Sequence, residues 1–339
     1  MFSTLVALRD DRVLAAVVTV FAQPQLLLLV AVGTLAGVYV GAIPGLSVTM
    51  AVSILISFTF AWDVLPAISL MIGIYMGGVY GGARTAILLN IPGDEPAMMT
   101  CLDGYPMAKA GRAGDALVIS GVASFVGALF ATVALLLIAP ALARVAYLFG
   151  PAEYFALYLL AFSTLGGIAS KNQAKAALAS AIGLGIAMIG LDNSTGMERF
   201  TGGNLHLADG IDFLVAIVGL FAVSEVFVFI ESHGKGSALG VKLDKVTVPW
   251  RDLAATKWTM LRSSVLGFVA GVLPGAGASL GSFLTYMMEK SIAGEKGKFG
   301  TGVARGVAAP EAGNNAAAGG ALVPMLTLGV PGSGTTAVL

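Results

Sequence analysis

The segment from Leu117 to Leu142 carries no charged side chain over about 26 residues, more than the roughly 20 that a helix needs to cross a bilayer. The segments 176–191 and 213–230 are nearly as apolar. Only helices and closed barrels satisfy their backbone hydrogen bonds in lipid, and continuous apolar runs indicate helices. The sequence therefore predicts an all-α fold, a polytopic helical bundle in a membrane.

The composition agrees with a membrane protein. Only 11% of the 339 residues are charged and 57% are hydrophobic, whereas about 25% of the residues of a soluble domain are charged. The formal net charge is +0, so no nucleic-acid partner is predicted, and membrane lipid is the expected surrounding. The single cysteine, Cys101, excludes an intrachain disulfide and a multi-cysteine metal site. We predict neither a metal nor a cofactor.

Motifs for two other classes of function are missing from the sequence. Gly297-Lys298 is followed by Phe299 rather than by Ser or Thr, so there is no Walker A pattern and no direct use of ATP is expected. There is no His-Glu-x-x-His motif, and neither His206 nor His233 lies near a serine in an apolar segment. The chain is therefore not expected to be an enzyme, and an intramembrane enzyme is the weakest alternative.

Changes in polarity divide the chain into four regions. These are an entry segment 1–24, a first repeat with the transmembrane helices that follow it (25–230), a polar interfacial connector 231–262, and a second repeat 263–339 that is incomplete at its C-terminus. The polar segment 94–115 is predicted to be a loop, with Asp103 on a solvated face, and docking of this loop to a partner subunit is the alternative. Helices are predicted from the apolar runs at 25–40, 46–62, 65–89, 116–142, 152–169, 174–191 and 210–230.

The two repeats are defined by paired Pro-Gly motifs. The motif Gly41-x-x-Pro44-Gly45 recurs 230 residues later as Gly271-x-x-Pro274-Gly275, and Asn90-Ile-Pro92-Gly93 recurs 239 residues later as Gly329-Val-Pro331-Gly332. Proline removes a helix hydrogen bond, and glycine allows a positive φ, so each motif is expected to break a helix or begin a re-entrant one.

A break inside the hydrocarbon layer leaves unpaired backbone groups, which are tolerated only inside protein or against water. Breaks at matching places in two halves point to a binding site at the midplane of a transporter, and helix N-termini after the breaks offer N–H donors to an anion. Plain proline kinks are the alternative. The predicted substrate or ion site comprises Pro44, Gly45, Asn90, Pro92, Gly93, Pro274, Gly275, Asn314, Asn315, Pro331, Gly332, Ser333, Thr335 and Thr336.

Polar side chains near the breaks have two interpretations. Asn90 offers amide donors and a carbonyl acceptor, and we assign it to the substrate or ion site rather than to a helix cap. Ser333, Thr335 and Thr336 follow the matching break and either bind substrate oxygens or Na⁺, or cap a helix.

Two charges lie within the apolar segments or at their edge. Arg84 precedes Asn90 by six residues, and its guanidinium could clamp a carboxylate. A snorkelling or structurally paired arginine is the alternative, which the sequence slightly favours. Glu311, with Asn314 and Asn315, enters the final helix and could help to form a cation site, because carboxylate and carbonyl oxygens suit hard ions.

The orientation of the repeats is left open by the charges. If 41–62 is re-entrant, counting Lys and Arg up to Arg262 places most of them on one side of the membrane. The loop after the first break is nevertheless acidic, at Asp63, while the loop after the second is basic, with Lys290 and Lys298. We expect inverted repeats.

Longer motifs run from about residue 25 to the end of the chain. They include Gly41-Ala-Ile-Pro-Gly-Leu46, Ile87-Leu-Leu-Asn-Ile-Pro-Gly93, Cys101-Leu-Asp-Gly-Tyr-Pro-Met-Ala108, Phe149-Gly-Pro-Ala-Glu-Tyr-Phe155, Gly271-Val-Leu-Pro-Gly-Ala276, Gly306-Val-Ala-Ala-Pro-Glu-Ala-Gly-Asn-Asn-Ala316 and Leu326-Thr-Leu-Gly-Val-Pro-Gly332. With these motifs the sequence resembles the large permease subunit of tripartite tricarboxylate transporters, the TctA type. It departs from the family pattern at Arg84, where a small residue is usual.

The resemblance implies a function. Such permeases are multi-pass proteins of the bacterial inner membrane that work with a small membrane subunit and a periplasmic solute-binding protein. They take up carboxylates, with citrate as the type substrate, and a Na⁺ or H⁺ gradient is the expected drive. Family members are usually considerably longer, so the resemblance implies that a C-terminal portion is missing here. A non-transporting or truncated assembly subunit is therefore the main alternative.

Overall fold

A computed structural model describes residues 11–43, 46–146, 173–191, 197–208, 248–273 and 277–339, with a few isolated positions between 150 and 246. Short 3₁₀ turns lie at Glu95–Ala97, Leu205–Leu207 and Glu295–Gly297, and a π turn at Ala108–Arg112 joins two helices. The helices are α1 Asp11–Phe21, α2 Pro24–Gly41, α3 Val48–Thr59, α4 Val64–Leu89, α5 Met98–Met107, α6 Ala113–Ala146, α7 Gln173–Ala187, α8 Trp250–Val272, α9 Gly277–Ala293, α10 Ala304–Leu328 and α11 Gly334–Val338.

The predicted helical membrane bundle is confirmed. Among the described residues, three helical stretches are long and apolar enough to cross a membrane, namely α2, α4 and the stretch of helix and turns from 95 to 142. In the described part of the chain, sheet is limited to two-residue strands, β1 Gly190–Leu191 and β2 Glu198–Arg199, which pair antiparallel. The helix predicted over 174–191 therefore ends at Ala187, shortly before β1.

The prediction of a polar loop over 94–115 is wrong. Most of this segment is helical, and Asp103 is fully buried rather than solvated. Burial of its carboxylate is stabilised by hydrogen bonds. The Tyr286 hydroxyl donates at 2.9 Å, and the N–H groups of Gly302 and Val303 donate at 2.9 Å each. Asp103 thus fixes the loop before α10 onto α5.

Helices α2 and α4 pack backbone against backbone. An ideal Cβ at Gly81 would lie 2.5 Å from the carbonyl oxygen of Val38. A Cβ at Gly41 would likewise clash with the carbonyl oxygen of Gly78. Small residues allow membrane helices to approach this closely. Contacts advance in the same direction along both helices, so α2 and α4 run parallel.

The second repeat reproduces this packing residue by residue. An ideal Cβ at Gly320 would lie 2.5 Å from the carbonyl oxygen of Phe268, and a Cβ at Gly271 would clash with the carbonyl oxygen of Ala317. These residues are the counterparts of those in α2 and α4 at the offsets of 230 and 239 residues that relate the Pro-Gly motifs. The internal repeat is therefore a repeat of structure as well as of sequence.

The first repeat begins with a hairpin of two antiparallel helices, α2 and α3. Helix α3 packs on α4 with Val48 against Gly78 near its start, and with the Thr59 hydroxyl 3.9 Å from the sulfur of Met71 near its end. Residue numbers rise along α3 while they fall along α4, so α3 is antiparallel to α4 and to α2. The chain therefore runs in one direction along α2, reverses between α2 and α3, and runs back along α3.

A second hairpin has the same form. Thr285 in the middle of α9 packs against Gly313, and Glu289 near its end lies 2.6 Å from Arg305 at the start of α10. Helix α9 is therefore antiparallel to α10 and to α8, which packs parallel to α10. Each repeat thus contains a pair of antiparallel helices, and the re-entrant position of these segments in the membrane stays a prediction.

The two repeats are inverted. Val307, near the start of α10, shares a core cluster with Ile87, near the end of α4. Leu322, near the end of α10, shares another cluster with Leu70, near the start of α4. Helices α4 and α10 are therefore antiparallel, and each is parallel to the first helix of its own repeat. This agrees with the expectation drawn from the acidic and basic loops.

Candidate functional site

The break segments of the two repeats meet each other. The hydroxyl of Thr49, in the first turn of α3, lies 2.8 Å from the hydroxyl of Thr335, which follows the last break. The N–H of Gly277, at the start of α9, donates to the carbonyl oxygen of Gly332 at 3.2 Å. The segment around the last break therefore contacts the start of α3 and the start of α9.

A second contact between the repeats is related to this one by the repeat symmetry. The Ser282 hydroxyl of α9 donates to the carbonyl oxygen of Pro96 at 2.6 Å, and the Ser279 hydroxyl donates to Oε2 of Glu95 at 3.4 Å. Ser279 follows Thr49 by 230 residues, so both repeats use a hydroxyl at the same position to reach the opposite repeat.

The second break of each repeat has the same backbone conformation. Asn90 ends α4 with φ 58° and ψ 28°, and Gly329 ends α10 with φ 68° and ψ 16°. Asparagine tolerates this left-handed conformation better than most residues, and glycine adopts it freely. Asn90 is exposed and caps α4 through its backbone. Its assignment to the site therefore stays a prediction, alongside the capping role that the structure shows.

The hydroxyl residues of the last break form a capping box. Ser333 accepts a hydrogen bond from the N–H of Thr336 at 3.2 Å, and the Thr336 hydroxyl accepts one from the N–H of Ser333 at 2.8 Å. The capping interpretation is thus observed for both. Thr335 is different, because its hydroxyl points across to Thr49.

Gly93, in the second break of the first repeat, packs closely against α2 and α4. The N–H of Gly93 donates to the carbonyl oxygen of Gly82 at 3.3 Å, and a Cβ at position 93 would clash with the carbonyl oxygen of Gly41. The two breaks of the first repeat are therefore in contact. In the second repeat, the Gly277–Gly332 bond joins the corresponding two breaks.

A second polar group surrounds Glu311, which is fully buried. Its Oε1 accepts a hydrogen bond from the Thr100 hydroxyl at 2.5 Å. Its Oε2 accepts bonds from the hydroxyls of Ser120 and Ser124 at 3.1 and 3.0 Å. Helices α5, α6 and α10 therefore meet at this carboxylate, and three hydroxyl donors replace the water it loses.

Arg84 faces the same cluster from α4. Its Nη2 donates to the Ser120 hydroxyl at 2.6 Å, and its guanidinium carbon lies 3.7 Å from the centre of the Tyr80 ring. Ser120 therefore bridges Arg84 to Glu311. Within the part of the chain that the structure describes, the Nε and Nη1 atoms of Arg84 are buried without a hydrogen-bond partner. The arginine is thus structurally paired, yet it keeps donors for a further acceptor.

Asn314 and Asn315 are both buried next to Glu311 in α10. The Asn315 amide donates to Oδ1 of Asn314 at 2.7 Å and to the backbone carbonyl of Glu311 at 3.1 Å. The Nδ2 atom of Asn314 has no hydrogen-bond partner in the structure. These amides extend the polar surface of α10 beyond the carboxylate.

The structure thus divides the predicted site into two groups. One group lies in the segments where the breaks of the two repeats contact each other, and it comprises Pro92, Gly93, Pro331, Gly332 and Thr335. The other group lies on α4 and α10, and it comprises Arg84, Glu311, Asn314 and Asn315. Pro44, Gly45, Pro274 and Gly275 lie outside the described residues. The residues that sequence reasoning missed are Thr49, Ser279, Ser282, Thr100, Ser120 and Ser124.

A signal for some of the missed residues was present. Thr49 and Ser279 sit five residues after the two matched prolines, so aligning the repeats at their own offset would have paired them. Thr100, Ser120 and Ser124 carry no such signal, because single hydroxyls are ordinary in membrane helices.

Two inverted repeats, each with a pair of antiparallel helices and a broken helix, make polar contacts with each other and define a polytopic membrane protein of the inverted-repeat type found among transporters. The chain belongs to the tripartite tricarboxylate transporter TctA family, whose model matches residues 27–339.

Relatives of the chain are known from Agrobacterium vitis. One is called an uncharacterized 52.8 kDa protein in the TAR-I ttuC' 3' region, and it is 40% identical over 303 residues, 88% of this chain and 60% of the relative. An uncharacterized protein in the TAR-II ttuC' 3' region is 49% identical over 65 residues, 19% of this chain and 27% of that protein. The chain thus spans about 60% of the length of the first relative. No solved structure matches it.

Proposed function

We propose that the chain forms the solute path of a secondary transporter that takes up tricarboxylates or related carboxylates across the bacterial inner membrane. A Na⁺ or H⁺ gradient drives the uptake, and a small membrane subunit and a periplasmic solute-binding protein are its partners. Membership of the TctA family supports this proposal, and so does the inverted-repeat architecture.

The observation that carries the proposal is the contact between Thr49 and Thr335 at 2.8 Å. It joins a helix start in one repeat to a helix start in the other, at breaks that bring hydroxyl and backbone donors together. Carboxylates are bound by such donors, and helix N-termini favour negative charge. A carboxylate between these breaks would contact both repeats at once, as alternating access requires.

Acidic groups near the same breaks suit a coupling cation. Glu95 lies in the turn after the Asn90–Gly93 break and accepts a hydrogen bond from Ser279 across the repeats. Carboxylate, hydroxyl and carbonyl oxygens are the ligands that hard cations prefer. A carboxylate anion and a cation bound next to each other would partly neutralise one another, which favours their transport together.

The test is uptake of labelled citrate, malate and succinate into proteoliposomes that contain the complete transport complex, with and without imposed Na⁺ and H⁺ gradients. We expect gradient-dependent accumulation of at least one carboxylate. Thr49→Val and Thr335→Val should each reduce it at least tenfold. Thr327→Val is the matched control, because the Thr327 hydroxyl bonds only within α10, to the carbonyl of Val323.

Asn90→Gly separates the two roles of Asn90. Glycine keeps the left-handed helix cap and removes the amide. Loss of uptake by a folded Asn90→Gly variant would show that the amide is needed, whereas normal uptake would limit Asn90 to capping. A folded, assembled complex that accumulates no carboxylate under any gradient would contradict the proposed function and favour an assembly subunit.

A further inference from the structure

The Arg84–Ser120–Glu311 cluster balances its own charge. Glu311 is fully buried, and the positive charge nearest to it is Arg84, which it reaches through the Ser120 hydroxyl. Removing one member of a buried pair leaves an uncompensated charge, which is strongly unfavourable. Any ligand that takes over Arg84 must therefore be matched by a change of charge at Glu311.

Arg84 is ready to take such a ligand. Its Nε and Nη1 atoms are buried and have no hydrogen-bond partner among the described residues, while Nη2 is bonded to Ser120. A guanidinium binds a carboxylate through neighbouring N–H groups, often two at once. Stacking on the Tyr80 ring fixes the plane of the guanidinium and so the direction of the unfilled donors.

We propose that Arg84 and Glu311 form a carboxylate–proton exchange pair, in which a substrate carboxylate binds Arg84 and Glu311 binds a proton. This inference rests on the proposed function and assigns its coupling to a particular pair. The empty cluster holds one positive and one negative charge. The loaded cluster holds the arginine, the substrate carboxylate and a neutral glutamic acid, so both states carry no net charge.

The surroundings of Glu311 favour a proton over a metal cation. Three hydroxyls already donate to its two oxygens, which leaves about one of the four lone pairs of the carboxylate free. A proton needs a single lone pair, whereas a metal ion needs a shell of several oxygen ligands. A metal ion would also lie beside the guanidinium, where like charges repel.

Several charged groups on the packed elements are bonded elsewhere. On α8 and α9, Arg262 and Glu289 are paired with each other, and Glu95 before α5 is bonded to Ser279. Among the described residues, the charged or titratable groups that act on Glu311 are Arg84 on α4 and Cys101 on α5, and Tyr80 lies against Arg84. Helix α6 contributes the hydroxyls of Ser120 and Ser124.

The experiment measures carboxylate binding and transport against pH in the complete complex. The probe is labelled malate, at pH values where both of its carboxyl groups stay ionised. By linkage, uptake of one proton on binding weakens the affinity by up to about tenfold for each unit rise in pH. We expect this dependence in the wild type, together with alkalinisation of the medium when malate enters.

Glu311→Gln imitates the protonated side chain. We expect its malate affinity to be independent of pH, its exchange of internal for external malate to persist, and its accumulation driven by a pH gradient to be lost. Glu295→Gln, at an exposed acid outside the cluster, should keep the wild-type pH dependence. If Glu311→Gln does not fold, Ser120→Ala removes the hydroxyl that joins Arg84 to Glu311 without changing a charge. This variant should shift the pH at which the affinity for malate falls.

The outcomes separate this inference from the proposed function. Malate uptake by the wild type, with an unchanged pH dependence in Glu311→Gln or Ser120→Ala, would overturn the exchange pair and leave carboxylate transport intact. Uptake that responds only to Na⁺, without proton movement, would do the same. If the wild type takes up no carboxylate at all, both proposals fall together.

Discussion

Replacing Gly81 by alanine should destabilise the bundle, although alanine is the better helix former. Its Cβ would lie 2.5 Å from the carbonyl oxygen of Val38, whereas ordinary contact begins at 3.4 Å. The helices α2 and α4 must therefore separate locally by about 0.9 Å, and overpacking of this kind costs about 1–3 kcal/mol. The gain in helix propensity is roughly 0.5–1 kcal/mol. The net expectation is a loss of about 1–2 kcal/mol.

The structure supplies both a duplicate and a control for this experiment. Gly320→Ala should cost a similar amount, because its Cβ would lie 2.5 Å from the Phe268 carbonyl oxygen. Gly183→Ala in α7 should be neutral or stabilising, because no atom of the described residues lies within 4 Å of its Cβ. The assay is thermal unfolding of the three purified variants in one detergent. A Gly81→Ala variant that melts with Gly183→Ala, at or above the wild type, would refute the backbone packing described here.

Two buried carboxylates give the remaining predictions. Asp103→Asn should destabilise the protein by about 2–3 kcal/mol, because it weakens the charge-assisted hydrogen bonds to the loop before α10. Asp63→Asn, at an exposed site, should change the stability little. Thermal unfolding of the two variants compares their stabilities. Glu289→Gln should cost about 1–3 kcal/mol, since two partly exposed arginines lose their counter-charge. Salt screens the unpaired arginines, so a higher salt concentration should reduce the difference in melting temperature between Glu289→Gln and Glu295→Gln. A difference that does not change with salt would contradict the loss of counter-charge as its cause.

Much of the helical framework could be predicted from the sequence. The predicted helices 25–40 and 65–89 correspond to α2 and α4, with ends that differ by a residue or two. Apolar runs that end at Pro-Gly motifs mark these boundaries directly, because the same residues that end the helix also interrupt the hydrophobic pattern. The repeat could be predicted for the same reason, since the interruptions recur in order.

The misread segment 94–115 shows where sequence reasoning fails. Its charges and glycines are typical of a loop, yet Asp103 is buried because donors from residues 300–303 surround it. Those donors lie almost 200 residues further along the chain, so no local pattern reveals them. Ser120 and Thr100 were missed for a similar reason, because their partner Glu311 comes from a distant helix.

The internal repeat gives α4 and α10 matching positions but different charges. At the repeat offset of 239 residues, Arg84 corresponds to Val323, and Glu311 corresponds to Ile72. Each repeat therefore supplies one charged member of the Arg84–Ser120–Glu311 cluster, and neither repeat carries both. A second copy of either repeat could not take the place of the other here, because two arginines or two glutamates would leave the cluster with an unbalanced charge.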